Sequence, residues 1–226
     1  MSPDPTTELG PTLARLSAID TCALSDALDK LGLKGQVTGL RRESGTARVA
    51  GVAVTVKLGT GDPPPGPLRH LGTTAIEASD AHSVIVIEQR TGVDAGCWGG
   101  LLTRGARRAD VRAVVADGPV RDIDEARELD FPIFTNRLTC YTARARVVEK
   151  STNEPVRIGE VTVHPGDYLV ADGSAVVVIR PADVGRVLAA AEGIVAREAA
   201  MIAEISRGTP MGEVLAGNYE HMLEKD

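Results

Sequence analysis

Between residues 83 and 134 the chain alternates short apolar runs with turns and stretches of helical length, and this alternation constrains the fold more than any other feature. Ser83–Glu88 (SVIVIE) is apolar at nearly every position, as in a strand covered on both faces. The glycine-rich segment 92–100 follows, then a helix over about 101–108. A second strand is expected at 111–116, its loop at 117–122, a second helix at 123–129 and a third strand at 131–134. Such a β-α-β-α-β unit makes parallel pairing. Its ligands sit in the crevice beyond the carboxyl ends of the strands, where segments 92–100 and 117–122 both fall.

The flanks supply the rest of an α/β domain. Asp20 is placed to cap a helix over 21–31, with Ala23, Leu24, Ala27, Leu28 and Leu31 on one face and Gly32 as its stop. Residues 49–56 read as a strand. The Gly59-Thr60-Gly61 that follows imitates a dinucleotide turn, but Pro63, Pro64 and Pro65 lack the N–H groups that a pyrophosphate needs. From 144 onward, short alternating segments at 144–150, 155–158, 161–163, 168–171 and 175–179 predict hairpins. A long helix over 182–206 closes the chain, with Val187, Leu188, Ala191, Ile194, Val195 and Ile202 on its apolar stripe and Glu198 in the middle of it. With no internal repeat and no linker, a single domain over 1–226 is expected, its core at about 20–212.

Composition removes several classes of function. Aromatic residues are 3% of the chain, the net charge is -6, and no basic run is longer than Arg107-Arg108, so direct nucleic-acid binding is not expected. The polar opening residues and the lack of a spanning apolar stretch lead to an expectation of a cytoplasmic protein off the membrane. Cys22, Cys97 and Cys140 form no CxxC pair, and His70, His82, His164 and His221 are equally scattered, so neither a disulfide framework nor a zinc site is indicated.

Two neighbouring features carry chemistry. A helix opening at Gly99-Gly100-Leu101-Leu102 presents bare backbone N–H groups to an anion, although a glycine pair serves as readily for a tight turn. In the next loop, Arg121 offers a planar fork for a carboxylate or oxyanion, and Asp122 offers a hard oxygen suited to Mg²⁺ or Mn²⁺. The structural alternative is that Asp122 caps the helix at Ile123 and Arg121 is solvated.

The runs Trp98-Gly99-Gly100-Leu101-Leu102, Val114-Val115-Ala116-Asp117-Gly118-Pro119-Val120-Arg121-Asp122, Phe131-Pro132-Ile133-Phe134 and Val163-His164-Pro165-Gly166-Asp167 together resemble the RraA-like family. That family holds class II 4-hydroxy-4-methyl-2-oxoglutarate / 4-carboxy-4-hydroxy-2-oxoadipate aldolases, oxaloacetate decarboxylases and the ribonuclease E regulator RraA. The resemblance implies a swivelling β/β/α domain with mixed sheets, assembled as homotrimers or homohexamers. It implies that Asp122 holds the metal, that Arg121 contacts pyruvate and steadies its enolate, and that the amides of Gly99, Gly100, Leu101 and Leu102 hold the pyruvate carboxylate. A glutamate from the neighbouring subunit's C-terminal helix reaches the site in the family, and Glu198 is its counterpart here. A helix-edge salt bridge is the other use for that residue.

One departure bears on the chemistry. Gly100 stands where the family's aldolases carry an aspartate that organises the proton-transferring water. A retro-aldol step must deprotonate a hydroxyl and so lacks its expected base, with Asp94, Asp117 or Glu198 as substitutes. Decarboxylation needs no base, because chelation of the 2-oxo acid together with Arg121 stabilises the enolate left by CO₂. The sequence therefore points to a divalent-metal-dependent lyase giving pyruvate from a small 2-oxo acid. The alternatives are a non-catalytic regulator that binds a protein partner, and a related metal-assisted hydratase, isomerase or decarboxylase.

Overall fold

A computed structural model describes residues 5–67 and 69–215, so His221 and the ends of the expected domain lie outside the described residues. In chain order the elements are α1 (Pro5–Ala18), α2 (Thr21–Lys30), β1 (Gln36–Val37), β2 (Arg41–Ser44), β3 (Val49–Gly59), α3 (Thr73–Glu77), β4 (Ser83–Glu88), α4 (Gly100–Arg108), β5 (Ala113–Val120), α5 (Ile123–Glu128) and β6 (Ile133–Leu138). They continue with β7 (Val148–Thr152), β8 (Val156–Ile158), β9 (Val161–Val163), β10 (Tyr168–Ala171), β11 (Val176–Ile179), α6 (Val184–Ser206) and α7 (Met211–Leu215).

The main sheet runs β1-β11-β10-β3-β4-β5-β6-β2, and β7 also pairs with β3. Its centre, β3-β4-β5-β6, is parallel, as the strand and helix alternation requires. The outer pairs are antiparallel. The β8-β9 hairpin forms a separate small sheet. The molecule is thus a mixed α/β domain with a long C-terminal helix.

β3 is the splice between the two halves. Its first residues pair with β10 and its last with β7, while its length from Val52 to Lys57 pairs in parallel with β4. One apolar layer packs Ile85, Ile87, Val114 and Ile133 against Trp98, Leu102, Ala106 and Ala126 of the α4-α5 side. Another packs Ala50, Val170 and Ile179 against Leu24 and Leu28 of α2 and Val187, Leu188 and Ile194 of α6. A third joins the remaining sheet residues to Val156, Ile158 and Val163 of the small hairpin. Each such fully buried Leu, Ile or Val contributes roughly 1.5–3 kcal/mol of transfer free energy.

Two segments differ from the sequence reading, and α1 lies outside it. The opening segment is a helix with Leu13 and Leu16 buried, although Gly10 and Pro11 interrupt its pattern. β5 does not end at residue 116. Its ladder shifts after Ala116 and resumes as Pro119 and Val120 pair with Arg137 and Leu138 of an equally lengthened β6. The shift centres on Gly118, where an added Cβ would lie 2.6 Å from the Cβ of Gln89. Asp117 is therefore a strand residue. The 144–150 segment forms no hairpin of its own, because the strand begins at Val148 and joins β3.

Candidate active site

The site begins with an extended segment laid along the end of β5. Cys97 donates its N–H to Pro119 O at 2.8 Å, and Arg121 donates its own to Trp98 O at 3.0 Å. Trp98 is buried and its indole Nε1 donates to Thr103 Oγ1 at 2.9 Å, while that hydroxyl donates to Gly99 O at 3.1 Å. This chain of bonds fixes the chain direction where α4 starts, with Gly99 in extended conformation before it. Burial at the same place pushes the Cys97 thiol up to about 12, so that side chain is a packing group and not a nucleophile.

Asp122 sits at the start of α5 with φ of 55°, a left-handed conformation that Asp tolerates better than most residues. That turn swings its side chain away from its own helix, to which it gives no capping bond. The carboxylate crosses instead to α4, where Oδ2 accepts the Gly100 N–H at 3.0 Å. The structural alternative for Asp122 is therefore correct in kind but wrong in helix. Arg121 Nε lies 3.2 Å from each Asp122 oxygen, and both side chains are about one-third exposed. Bare glycines make this packing possible. A Cβ on Gly99 would stand 2.8 Å from Asp122 Oδ2, and one on Gly96 would stand 3.0 Å from Arg121 Cγ.

Gly99, Gly100, Leu101, Leu102, Arg121 and Asp122 all line one cavity of about 600 Å³. These residues meet beyond the ends of β4 and β5. The Gly100 amide is engaged by Asp122, and Leu101 and Leu102 follow it in the first helical turn, where N–H groups lack intrahelical partners. Arg69, Arg144 and Lys150 line the same cavity, a basic lining the sequence reading missed because these residues lie far apart in the chain.

The other candidates lie apart. Asp117 accepts Asn136 Nδ2 at 2.7 Å and the Gly159 N–H at 2.8 Å, so its carboxylate is committed to the scaffold. Asp94 faces Arg137 at 3.9 Å on the surface. Glu198 does not line the cavity of its own chain. It stands half-buried on α6, and burial together with the Asp20 and Asp26 carboxylates raises its pKa.

Among the described residues no group of three or more His, Cys, Asp or Glu side chains is arranged to hold a metal. Asp122 fits a cation bound by one protein ligand and otherwise by water or substrate. Each of its oxygens retains lone-pair capacity beyond the bonds above, it borders the cavity, and Mg²⁺ commonly keeps several waters. A residue absent from the sequence reading stands against Gly100, outside the lining of the cavity. The Glu125 carboxylate of α5 lies over Gly100, so that a Cβ there would be 2.6 Å from its Cδ. The available signal was an acid one helical turn beyond Asp122, with Arg104 on the facing helix as its partner.

A family model described as "RraA-like: Aldolase/RraA" matches residues 21–178. The chain is 31% identical over 167 residues to Protein DlpA of Legionella pneumophila, covering 74% of this chain and 27% of that protein, so it spans about a quarter of that relative. It is 29% identical over 167 residues to a protein of Halalkalibacterium halodurans named "Putative 4-hydroxy-4-methyl-2-oxoglutarate aldolase", covering 74% of this chain and 75% of that one. Among solved structures, an uncharacterized protein from Pseudomonas syringae pv. tomato superposes with a TM-score of 0.81 at 29% identity, over 91% of this chain and 96% of that one.

Proposed function

This chain belongs to the RraA-like family, and from that membership and the geometry of the crevice we propose that it is a divalent-metal-dependent lyase. Its substrate is a small 2-oxo acid, cleaved at a carbon–carbon bond to leave the enolate of pyruvate. The observation that carries this reading is the meeting of Arg121, Asp122 and the bare start of α4 in one cavity. The name of the Halalkalibacterium relative agrees with a lyase of this class.

Asp122 would hold Mg²⁺ or Mn²⁺, which supplies Lewis-acid polarisation of the substrate's keto group. The first-turn amides of α4 receive the 2-oxo acid's carboxylate, where the unpaired N–H groups and the helix dipole both favour negative charge. Arg121, held flat against Gly96 and Gly99, places a fixed positive charge beside the oxygen on which charge grows as the bond breaks. Its orientation by Asp122 means that little reorganisation is needed during the reaction.

Assembly into homotrimers or homohexamers completes the proposal. Ile202 is 62% exposed and Met211 53% exposed on the C-terminal helices, an apolar surface that a second copy would cover. In such an assembly Glu198 of one copy would approach the cavity of the next, and its raised pKa suits a proton donor. The non-catalytic regulator reading draws on the bare position at Gly100.

Purified protein supplied with oxaloacetate and Mn²⁺ decides between them. The lyase reading expects pyruvate release that stops on chelation and in the Asp122→Ala variant. Rates equal with and without protein would sink it.

A further inference from the structure

The proline run after β3 has a place in the cavity that the lyase reading leaves unused. Pro63, Pro64, Pro65 and Pro67 line the same space as Arg121 and Asp122. Proline has no backbone N–H and a fixed φ, so these four residues offer stiff ring methylenes and no donor for an anion. The prolines are held between two ties to β7. Lys150 donates from Nζ to Asp62 O at 2.7 Å, and Gly72 donates its N–H to Glu149 Oε2 at 2.7 Å. The lysine stem passes over Gly59, where a Cβ would stand 2.9 Å from both Lys150 Cγ and Cε.

The basic residues of the lining are not equivalent. Arg69 pairs with Glu77 at 2.9 Å, and the Lys150 ammonium is engaged by Asp62 O. Among the described residues nothing pairs with the Arg144 guanidinium, whose residue makes only a backbone bond, from its N–H to Thr142 Oγ1. Arg144 stands in a tight turn. There Arg146 donates its N–H to Ala143 O at 2.9 Å, and Ala145 takes a φ of 60°, a left-handed conformation uncommon for alanine. The cavity volume of about 600 Å³ lies in the range of roughly 300–1,000 Å³ that takes drug-sized ligands, and pyruvate is far smaller than these. A prolyl wall and, among the described residues, an unpaired guanidinium are left for the rest of a larger molecule.

We propose that the substrate is a 2-oxo acid with an aromatic tail that ends in an anion, the tail lying on Pro63, Pro64 and Pro65 and the anion meeting Arg144. This rests on the lyase reading above and deepens it by naming the tail, while the 2-oxo acid head keeps its place beside Arg121 and Asp122. The ring leaves water for a prolyl surface that asks for no hydrogen bond in return. A flat ring suits a stiff wall because neither loses much conformational freedom on contact. Arg144 gains a carboxylate without giving up a partner.

Titration calorimetry in the presence of Mn²⁺ tests this with three probes of increasing length: pyruvate, 2-oxo-4-phenylbutanoate and 2-oxo-4-(4-carboxyphenyl)butanoate. The phenyl acid should bind about tenfold more tightly than pyruvate. The carboxyphenyl acid should bind about fivefold more tightly again. In Arg144→Ala the two aromatic acids should bind alike. With Pro63, Pro64 and Pro65 all replaced by glycine, the affinity ratio between phenyl acid and pyruvate should fall toward one. Thermal melts establish that both variants are folded, and the wild-type series stands without them.

A phenyl acid that binds no more tightly than pyruvate would overturn the proposal and leave the lyase reading standing. So would a carboxylate gain that persists in Arg144→Ala, or a phenyl gain that persists in the glycine variant. If none of the three acids binds with Mn²⁺ present, the lyase reading falls and this proposal with it.

Discussion

The Asp122 carboxylate accepts the Gly100 amide at 3.0 Å, bridging the loop after β5 to the first turn of α4. On the proposed lyase reading, an incoming 2-oxo acid would seek the same donor for its own carboxylate. Substrate and Asp122 would then be linked through a single N–H, and binding of the anion would free an Asp122 oxygen for a cation.

This linkage separates two substitutions. Asp122→Asn keeps an oxygen able to accept from Gly100 but loses the charge, whereas Asp122→Ala loses both. Both variants are expected to lose Mn²⁺ binding and at least about 100-fold in pyruvate release. Only the alanine variant should also lose thermal stability, by about 1 kcal/mol. Metal titration, a pyruvate assay and thermal melts check the three parts.

Thr103 holds the Trp98 indole and the Gly99 carbonyl with one hydroxyl. Thr103→Val leaves the buried indole N–H without its acceptor, at a cost of roughly 1–3 kcal/mol. A fall in melting temperature of about 2–12 °C is expected, with a weaker affinity for pyruvate. Calorimetry and equilibrium binding would read both, and an unchanged melting temperature would remove Thr103 from the scaffold of the site.

Asp172 ties the start of α2 to the β10-β11 turn. Burial pushes its carboxyl up, but the Thr21 N–H and hydroxyl and the Ser174 N–H outweigh this and hold it below its ordinary range. A depressed folded-state pKa gives stability that is present above the unfolded carboxylate value of about 3.9 and is lost as pH falls through the folded value. Asp172→Asn should lower stability at pH 7, and the gap from wild type should narrow below about pH 4. Melts across pH 3 to 7 provide the check.

Thiol chemistry offers a simple reading of the packing. Cys22 and Cys140 are exposed, whereas Cys97 is buried and pushed up to about 12. Two thiols should react quickly with Ellman's reagent in native protein, and the third only after denaturant is added.

The parallel core was legible because strand and helix periods alternate cleanly between residues 83 and 134, and the glycine, arginine and aspartate chemistry falls at the strand ends. Other features depended on contacts that no local pattern encodes. α1 is hidden behind Gly10 and Pro11, and it is Leu13 and Leu16 in the α2-α6 layer that hold it helical. Asp122 reads locally as the cap of α5, and only its φ of 55° directs it to α4. Glu125 reads as one more exposed helix acid, because its contact with Gly100 exists only once α4 and α5 lie side by side.

β3 takes strands from far along the chain on both its ends, receiving Tyr168–Ala171 beside Val49–Val52 and Val148–Thr152 beside Val56–Gly59. A ribosome that has released only the first 140 residues thus carries a nascent chain with two rows of unsated amides and carbonyls on one strand. Until translation delivers the rest, that edge is open to any extended peptide nearby. Two halves expressed separately would be expected to find one another through this strand and reconstitute the domain, with β3 acting as the template.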